Sequence, residues 1–569
     1  MNVNRRRWRG RGLLAALAAG LLLGGVACSV WNRSTSTVVP TTTAAAKVQP
    51  AAGPPLFRDV TREAGIRHTY QNGQEYSLFG ITIPFTFFGI PESNGGGVAL
   101  LDYDNDGLLD VFITGGGYYD KTEEEYKQDP DHPPKLLGFP CKLYKNLGNW
   151  KFKDVTAEVG LDKPLMYSHG AAAADYDRDG WPDLLVAGYG RLALYHNEPV
   201  DAKDPFKGRH FVEVTRKAGL TDDMWSCTAA WADLDGDGFP DLYVAHYGNY
   251  GFDDAKHQIH PSHCSYDGGT TRDVCPPKTF EALPDTLYHN NGDGTFTDVS
   301  KAAGLRVPRT EKDYDELTWL GEEGKRVLRE ADKSKEYGKG LGVVIVDVNG
   351  DGKPDIYVAN DTVDNFLYVN RSVPGHIRLE EMGMAAGVAK DDRAASDGSM
   401  GTDAADYDNS GRPSLWCVNY EGENHALYKN QCKNDSVFFS WATSISGISA
   451  IGQSYVGWGT QFLDLDHDGW LDLFVANGHA IRFPTGSAKR AQRPVLMHNT
   501  GKGRFVPITD QGGPYFTTEH CARGVAFGDL DNDGRIDLVI NHLNEPAVVL
   551  RNEAHTEPNH WLGVQLASK

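Results

Sequence analysis

The feature that most constrains this chain is a nine-residue frame that keeps returning. It appears first as Asp102-Tyr-Asp104-Asn-Asp106-Gly107-Leu-Leu-Asp110 and recurs at residues 175–183, 233–241, 347–355, 464–472 and 529–537, with a worn copy at 406–414. Oxygen-bearing side chains at positions 1, 3, 5 and 9, with glycine at 6, describe a tight loop around a hard cation. Calcium takes about six to eight oxygen ligands, so such a loop adds a backbone carbonyl and water to its carboxylates. Glycine at position 6 permits the positive φ of the sharp turn. The expected ligands are Asp102, Asp104, Asp106 and Asp110 in the first loop, then Asp175, Asp177, Asp179 and Asp183 in the second. Asp233, Asp235, Asp237 and Asp241 form the third set, and Asp347, Asn349, Asp351 and Asp355 the fourth. The remaining intact sets are Asp464, Asp466, Asp468 and Asp472, and Asp529, Asp531, Asp533 and Asp537. In the worn copy Ser410 and Ser414 replace acids, so it is expected to be weak or empty. The prediction is about six structural calcium ions, one per intact loop.

An EF-hand also begins D-x-D-x-D-G, but it needs a Glu at position 12 and flanking helices. Here that neighbourhood holds Ile113, Val186, Val244, Ile356, Phe474 or Leu538. Each loop runs on into Asp-Leu-Leu-Val-Ala, Asp-Leu-Tyr-Val-Ala or a close variant. Those β-branched and aromatic runs read as strands.

Two further motifs interleave with the loops. One is Leu143-Tyr-Lys-Asn146, repeated from Leu194, Leu287, Leu367, Leu427 and, as Leu-Met-His-Asn, Leu496. The other is Phe57-Arg-Asp-Val-Thr61 with Ala64-Gly65-Ile66 after it, with kin from Phe152, Phe211 and Phe296 and weaker versions at 378–388, 438–448 and 505–513. One unit therefore reads as a small-residue strand, the Asp loop, and three more strands. Loop-to-loop spacings of 73, 58, 114, 59, 58 and 65 residues match four strands per blade. Seven copies predict an all-β, seven-bladed propeller rather than a capped solenoid. Residues 57–61 or 561–566 would complete the last blade and hide its edge; both remain open. The 114-residue spacing carries two insertions, 249–283 and a charged, helix-like 306–340, of a kind that covers a face or lines an entrance.

The formal charge of −21 argues against nucleic acid, which wants a basic footprint. Much of it is local, because the loops hold 25 Asp. Six divalent ions would leave about −9. Arg5, Arg6, Arg7, Arg9 and Arg11 precede an apolar run at 13–27 and then Cys28, reading as a signal segment over 1–28. Val26-Ala27-Cys28 resembles the end of a bacterial lipobox, with Gly25 where Leu is usual. Lipid attachment at Cys28, simple cleavage and a retained anchor all stay open, and a membrane role is expected only through this segment. Residues 29–55, rich in Ser, Thr, Ala and Pro, read as a flexible tether to a propeller over 56–569. In an oxidising compartment Cys264 pairs with Cys275 by proximity, and Cys417 with Cys432 across one hairpin is the second candidate.

The D-x-D-x-D-G-x-x-D loops resemble the FG-GAP/VCBS repeats of integrin-α-like propellers. With Leu-Tyr-x-Asn, Phe-x-Asp-Val-Thr-x-x-Ala-Gly-Leu and Cys264…Cys275-Pro276, the chain is similar to the ASPIC/UnbV family over roughly residues 56–566. Asn559-His560-Trp561-Leu562-Gly563-Val564 resembles the opening of that family's C-terminal module, which is expected to be essentially missing before Lys569. The resemblance implies a calcium-stabilised extracellular binding or adhesion module.

Residues preceding the inner strands, namely Asn94, His169, Cys227, Lys339, Trp458 and Arg523, are expected to ring one mouth of the channel, where an anionic or sugar ligand could dock. Tyr118, Tyr119, Tyr247 and Tyr250 are expected as exposed stacking platforms. His257, His260, His263 and Cys264 could suit zinc or copper, but a disulfide-stapled loop with solvated histidines is the preferred reading, since Pro261 breaks helical spacing. No nucleophile elbow, P-loop or zinc-protease motif occurs. The expected function is an extracytoplasmic module for a glycan or surface protein; the alternative is a polysaccharide lyase or hydrolase on the same scaffold.

Overall fold

The computed structural model describes residues 54–556 apart from 75, 79–80, 84–86, 205, 253–263, 306–325, 327–336 and 434–435, together with Asn559 and Trp561. Seven four-stranded antiparallel sheets succeed one another, and the inner strand of each packs against the inner strands on both sides, closing a ring. Blade 1 comprises Val98–Leu101, Asp110–Ile113, Lys142–Asn146 and Phe152–Asp154. The inner strands of blades 2 to 7 are Ser168–Ala174, Ser226–Ala232, Gly340–Val346, Thr402–Ala405, Gly457–Leu463 and Ala522–Gly528. Each second strand, such as Asp183–Gly188 or Asp241–His246, is buried at every residue, because it is covered by blades on both faces.

The small residues of the inner strands have a steric cause. A Cβ on Gly401 would lie 1.7 Å from the Trp458 carbonyl oxygen, and one on Gly524 would lie 2.1 Å from that of Gly96. Backbones of neighbouring blades meet there without room for a side chain.

The ring closes with the N-terminal strand. Phe57–Asp59 pairs antiparallel with Val548–Asn552, with Phe57 opposite Asn552, so blade 7 is built from both ends of the described chain. Of the two closures left open by the motifs, this is the one formed. It hides an edge that would otherwise present unpaired N–H and C=O groups.

The motif asparagines lock the blades together. Asn290 Nδ2 donates to the Pro240 carbonyl of its own loop (3.0 Å) and to the Tyr176 carbonyl of the preceding blade's loop (2.8 Å). The same cross-blade bond runs from Asn197 to Tyr103, Asn370 to Leu234, Asn430 to Val348 and Asn499 to Tyr407. Asn552 to Leu465 and Asn146 to Leu530 complete the circle. These amides are buried, so each bond substitutes for hydration the carbonyls would otherwise lose. The last motif threonine or serine works within its blade: Thr156 Oγ1 accepts from Leu143 N (3.0 Å), and Ser300 Oγ from Leu287 N (2.9 Å).

Cys264 and Cys275 form a disulfide. Cys417 and Cys432 do not: both are free and buried. Cys417 faces Ala426 at one end of its hairpin, whereas Cys432 lies six residues beyond Ala426. At about 3.3 Å per residue this puts the thiols near opposite ends of the strand pair. His257, His260, His263, Cys28 and nearly all of the charged insertion lie outside the described residues.

Candidate metal loops and channel mouth

The inner strands run from the channel mouth to the Asp loops, so the two predicted sites occupy opposite ends of the ring. At the loop end, the geometry repeats. In all seven loops the position-6 glycine N–H donates to the position-1 carboxylate, at 2.7 to 3.0 Å. The position-9 carboxylate is buried and accepts from the N–H of the motif asparagine, as Asp110 does from Asn146 (2.7 Å) and Asp241 from Asn290 (3.0 Å). In the worn loop Ser414 Oγ takes that place, accepting from Asn430 N at 3.1 Å. Burial pushes Asp110 and Asp537 up to about 8, and Asp183, Asp241 and Asp355 to about 6.

The position-3 carboxylates leave oxygens unmet. Asp104 Oδ1, Asp235 Oδ2, Asp408 Oδ1, Asp466 Oδ1 and Asp531 Oδ1 are buried without a hydrogen-bond partner, as are Asp175 Oδ1 and Asp472 Oδ2. Buried acceptors of this kind, converging with neighbouring carboxylates, fit a hard cation. Asp102, Asp104 and Asp110 bring oxygens within 4.8 Å of one another, as do Asp175, Asp177 and Asp179, and Asp233, Asp235 and Asp237.

One residue facing each loop escaped the sequence reading. The variable position of Leu-Tyr-x-Asn points over the carboxylates, and its chemistry differs between blades. Lys145 contacts Asp104 and lies 3.1 Å from Asp106. Lys429 is 2.6 Å from Asp408, and Arg551 is 3.0 Å from Asp531. His196, His289 and His498 place Nδ1 3.0 Å from Asp183, Asp241 and Asp472 respectively. In blade 4 the position is Val369, buried and apolar. Val549-Leu550-Arg551-Asn552 is a seventh copy of the motif, disguised by losing both Leu and Tyr; register against the second strand would have revealed it.

At the other end, a cavity of about 270 Å3 is lined by Asn94, His169, Cys227, Trp458 and Arg523 among the inner-strand starts. Five of the six expected mouth residues thus come together. Lys339 does not line the cavity; its ammonium turns to the Pro277 carbonyl of the insertion at 2.9 Å. Leu341 lines the cavity for blade 4, and Met400 adds blade 5, for which no residue was expected. Arg523 is 1% exposed and stacks 4.0 Å over Trp458 while donating to the Ser93, Ala522, Gly478 and His479 carbonyls. Burial pulls its guanidinium down to about 9. Its donors are largely spent on backbone, which makes it a brace for the mouth. His169 differs: neither ring nitrogen has a partner, and burial pulls it down to about 3. Asn94 Nδ2 is likewise buried and unpartnered.

The expected exposed tyrosines are interior. Tyr119, Tyr247 and Tyr250 are at most 1% exposed, and Tyr118 is half-buried against Phe139. Tyr119 and Tyr250 share a 3.0 Å hydroxyl contact inside an aromatic cluster with Phe87 and Phe252. The insertion folds back over them, which local polarity does not reveal.

Residues 102–186, 175–244 and 464–540 match the FG-GAP-like repeat. With its seven closed blades, the chain is a seven-bladed β-propeller that carries FG-GAP-like repeats over these stretches. It is similar in sequence to cartilage acidic protein 1. Identity to the Mus musculus protein is 24% over 432 residues, covering 70% of this chain and 62% of that one. Identity to the Xenopus tropicalis protein is 25% over 302 residues, covering 48% and 43%. The chain thus spans less than two thirds of the length of these relatives. Among solved structures, an Agrocybe aegerita lectin described as specifically recognising non-reducing terminal N-acetylglucosamine aligns at 14% identity and a TM-score of 0.35, over 81% of this chain and 98% of the lectin. Among the described residues no helix is long and apolar enough to cross a membrane.

Proposed function

We propose that this protein is an extracytoplasmic binding module, stabilised by calcium in its Asp loops, that engages a glycan or another surface protein at the channel mouth and insertions. The observation that carries the calcium part is the recurrence of a buried, unpartnered carboxylate oxygen in loop after loop. Bound there, calcium would neutralise the converging carboxylates and pin the turn between first and second strands. Asp102 and its counterparts already hold that turn through the glycine N–H. The ion count is about six on this reading, with the worn loop weakest because Ser410 and Ser414 carry no charge.

The loops are turned to structural use, which leaves recognition to the other end. His169 and Asn94 line the 270 Å3 cavity, and both carry buried polar atoms without a partner, which a ligand that reached them would satisfy. Export through the segment at 1–28, with or without a lipid on Cys28, fits this role. Screening the calcium-loaded protein against acidic and neutral polysaccharides and surface proteins tests the reading. Saturable binding that is lost in His169→Ala, without new chain ends, supports it. New chain ends would instead support a polysaccharide-degrading enzyme.

A further inference from the structure

A second cavity, of about 220 Å3, adjoins the channel mouth and shares Asn94, Met400 and Trp458 with it. The disulfide loop supplies one side through Val274, Cys275, Pro276 and Pro277. Tyr247, Tyr266, Tyr420 and Trp458 supply aromatic surface, and Asp361 and Glu423 are its two acids. No repeat motif accounts for this combination, since it is assembled from the segment before blade 1, the end of a blade 3 strand and its insertion, and the loops of blades 4 to 6.

The two acids sit on either side of Gly398. A Cβ on that glycine would lie 3.2 Å from Asp361 Oδ1 and 3.6 Å from Glu423 Oε2, so the carboxylates are within about 7 Å of each other, close enough to repel when both are charged. Asp361 accepts from the Tyr247 hydroxyl at 2.5 Å, and Glu423 from Gly398 N at 2.8 Å and Tyr420 N at 3.2 Å. Among the described residues neither forms an ion pair. Lys339 lowers the Asp361 carboxyl from a distance while its ammonium donates to Pro277, and Lys278 is exposed at the rim. Asp397 adds a third buried acid beside Glu423. Burial pushes Asp361 up to about 6 and Glu423 to about 7. Two acids without a cation in contact, enclosed by aromatic rings, are the setting in which an ammonium is attracted both to carboxylates and to ring faces. Asn94 also lines this cavity, beside the rings and the two acids. The cavity has room for about seven water volumes, which suits a compact molecule.

We propose that this disulfide-flanked pocket binds a small organic ammonium, with Asp361 and Glu423 holding the cation among the aromatic rings. The proposal rests on the reading of this end as the binding end, but names a ligand class that reading does not require. Choline and glucosamine represent the headgroup and sugar sources of such a group; 3,3-dimethylbutanol and glucose are their uncharged counterparts. Calorimetric titration of the calcium-loaded full chain should show saturable binding of at least one ammonium probe, at least tenfold tighter than its uncharged counterpart. Asp361→Asn combined with Glu423→Gln should abolish it while the calcium count stays unchanged. Equal binding of the uncharged counterpart, saturation by neither ammonium, or full retention in the double variant would overturn the proposal. The wild-type comparison decides even if the double variant fails to fold. A polysaccharide hit lost in His169→Ala, together with no ammonium binding, would sink this inference alone and leave the binding-module reading standing.

Discussion

At the loop end of the ring, seven turns repeat one hydrogen-bond pattern, and seven asparagines link each turn to the next blade. At the mouth, the inner strands start at different residues: Asn94 and His169 with unmet polar atoms, Arg523 braced on Trp458, and Lys339 turned into the insertion. The repeated end is organised for stability, because each blade must meet its neighbour in the same way. The irregular end is free of that requirement, and it is where the two adjoining cavities occur. Repetition marks scaffold here, and departure from repetition marks the end to which the proposed function assigns recognition.

The contrast breaks first at the asparagines if it is wrong. Asn290→Ala removes three side-chain hydrogen bonds, two donated by Nδ2 and one accepted by Oδ1 from Gly292 N, and strands two carbonyls. It should cost about 3–4 kcal/mol in denaturant unfolding, whereas His169→Ala, which has no hydrogen bond to lose, should cost far less. Comparable losses from the two variants would erase the distinction between the ends.

A smaller effect concerns charge at the irregular end. Burial, and then repulsion from Glu423, raises Asp397 to about 8, while Asp361 and Glu423 sit near 6 and 7. Carboxyls raised above their unfolded values favour the fold while protonated. Their stabilisation is fully present below about pH 4 and is lost as pH rises through 6 to 8. Asp397→Asn should flatten that decline by about 2 kcal/mol across the window, read by melts at constant calcium.

The smallest effect sorts loops within the regular end. Lys145 supplies a tethered positive charge to the first loop, whereas Val369 leaves the fourth unopposed. Lys145→Met should tighten calcium binding by about tenfold, or about 1.4 kcal/mol, at one site, and Val369→Lys should weaken one site comparably. Unchanged isotherms would show that the facing side chain does not tune its loop.

Much of the fold was legible because a blade is a local unit: the Asp frame and the strand motifs mostly recur at spacings of 58 to 73 residues. Closure was not, since Phe57–Asp59 and residues 561–566 both look like outer strands and only pairing with Val548–Asn552 decides. The asparagine of Leu-Tyr-x-Asn was visible as a repeat but not as a bracket, because its partner carbonyl belongs to another blade. Lys145, His196 and their counterparts were invisible as loop neighbours because only strand register brings them over the carboxylates. The Cys417–Cys432 pairing failed on register, and the tyrosines at 119, 247 and 250 failed because partners distant in sequence bury them, such as Phe87 against Tyr119, Trp225 against Tyr247 and Tyr119 against Tyr250. Five of the six expected strand-start residues gather at one cavity, and Lys339, whose strand follows an insertion, does not.

The central claim is that the Asp loops are calcium sites that hold the ring together. Its most direct test is a calcium titration of the chelator-stripped full chain, with a metal count and a thermal melt at each step. The account predicts about six calcium ions and a melting temperature that climbs steeply with calcium, since each site at hundredfold excess over its dissociation constant adds about 2.7 kcal/mol. Little bound calcium, or a melt that does not move, would contradict it.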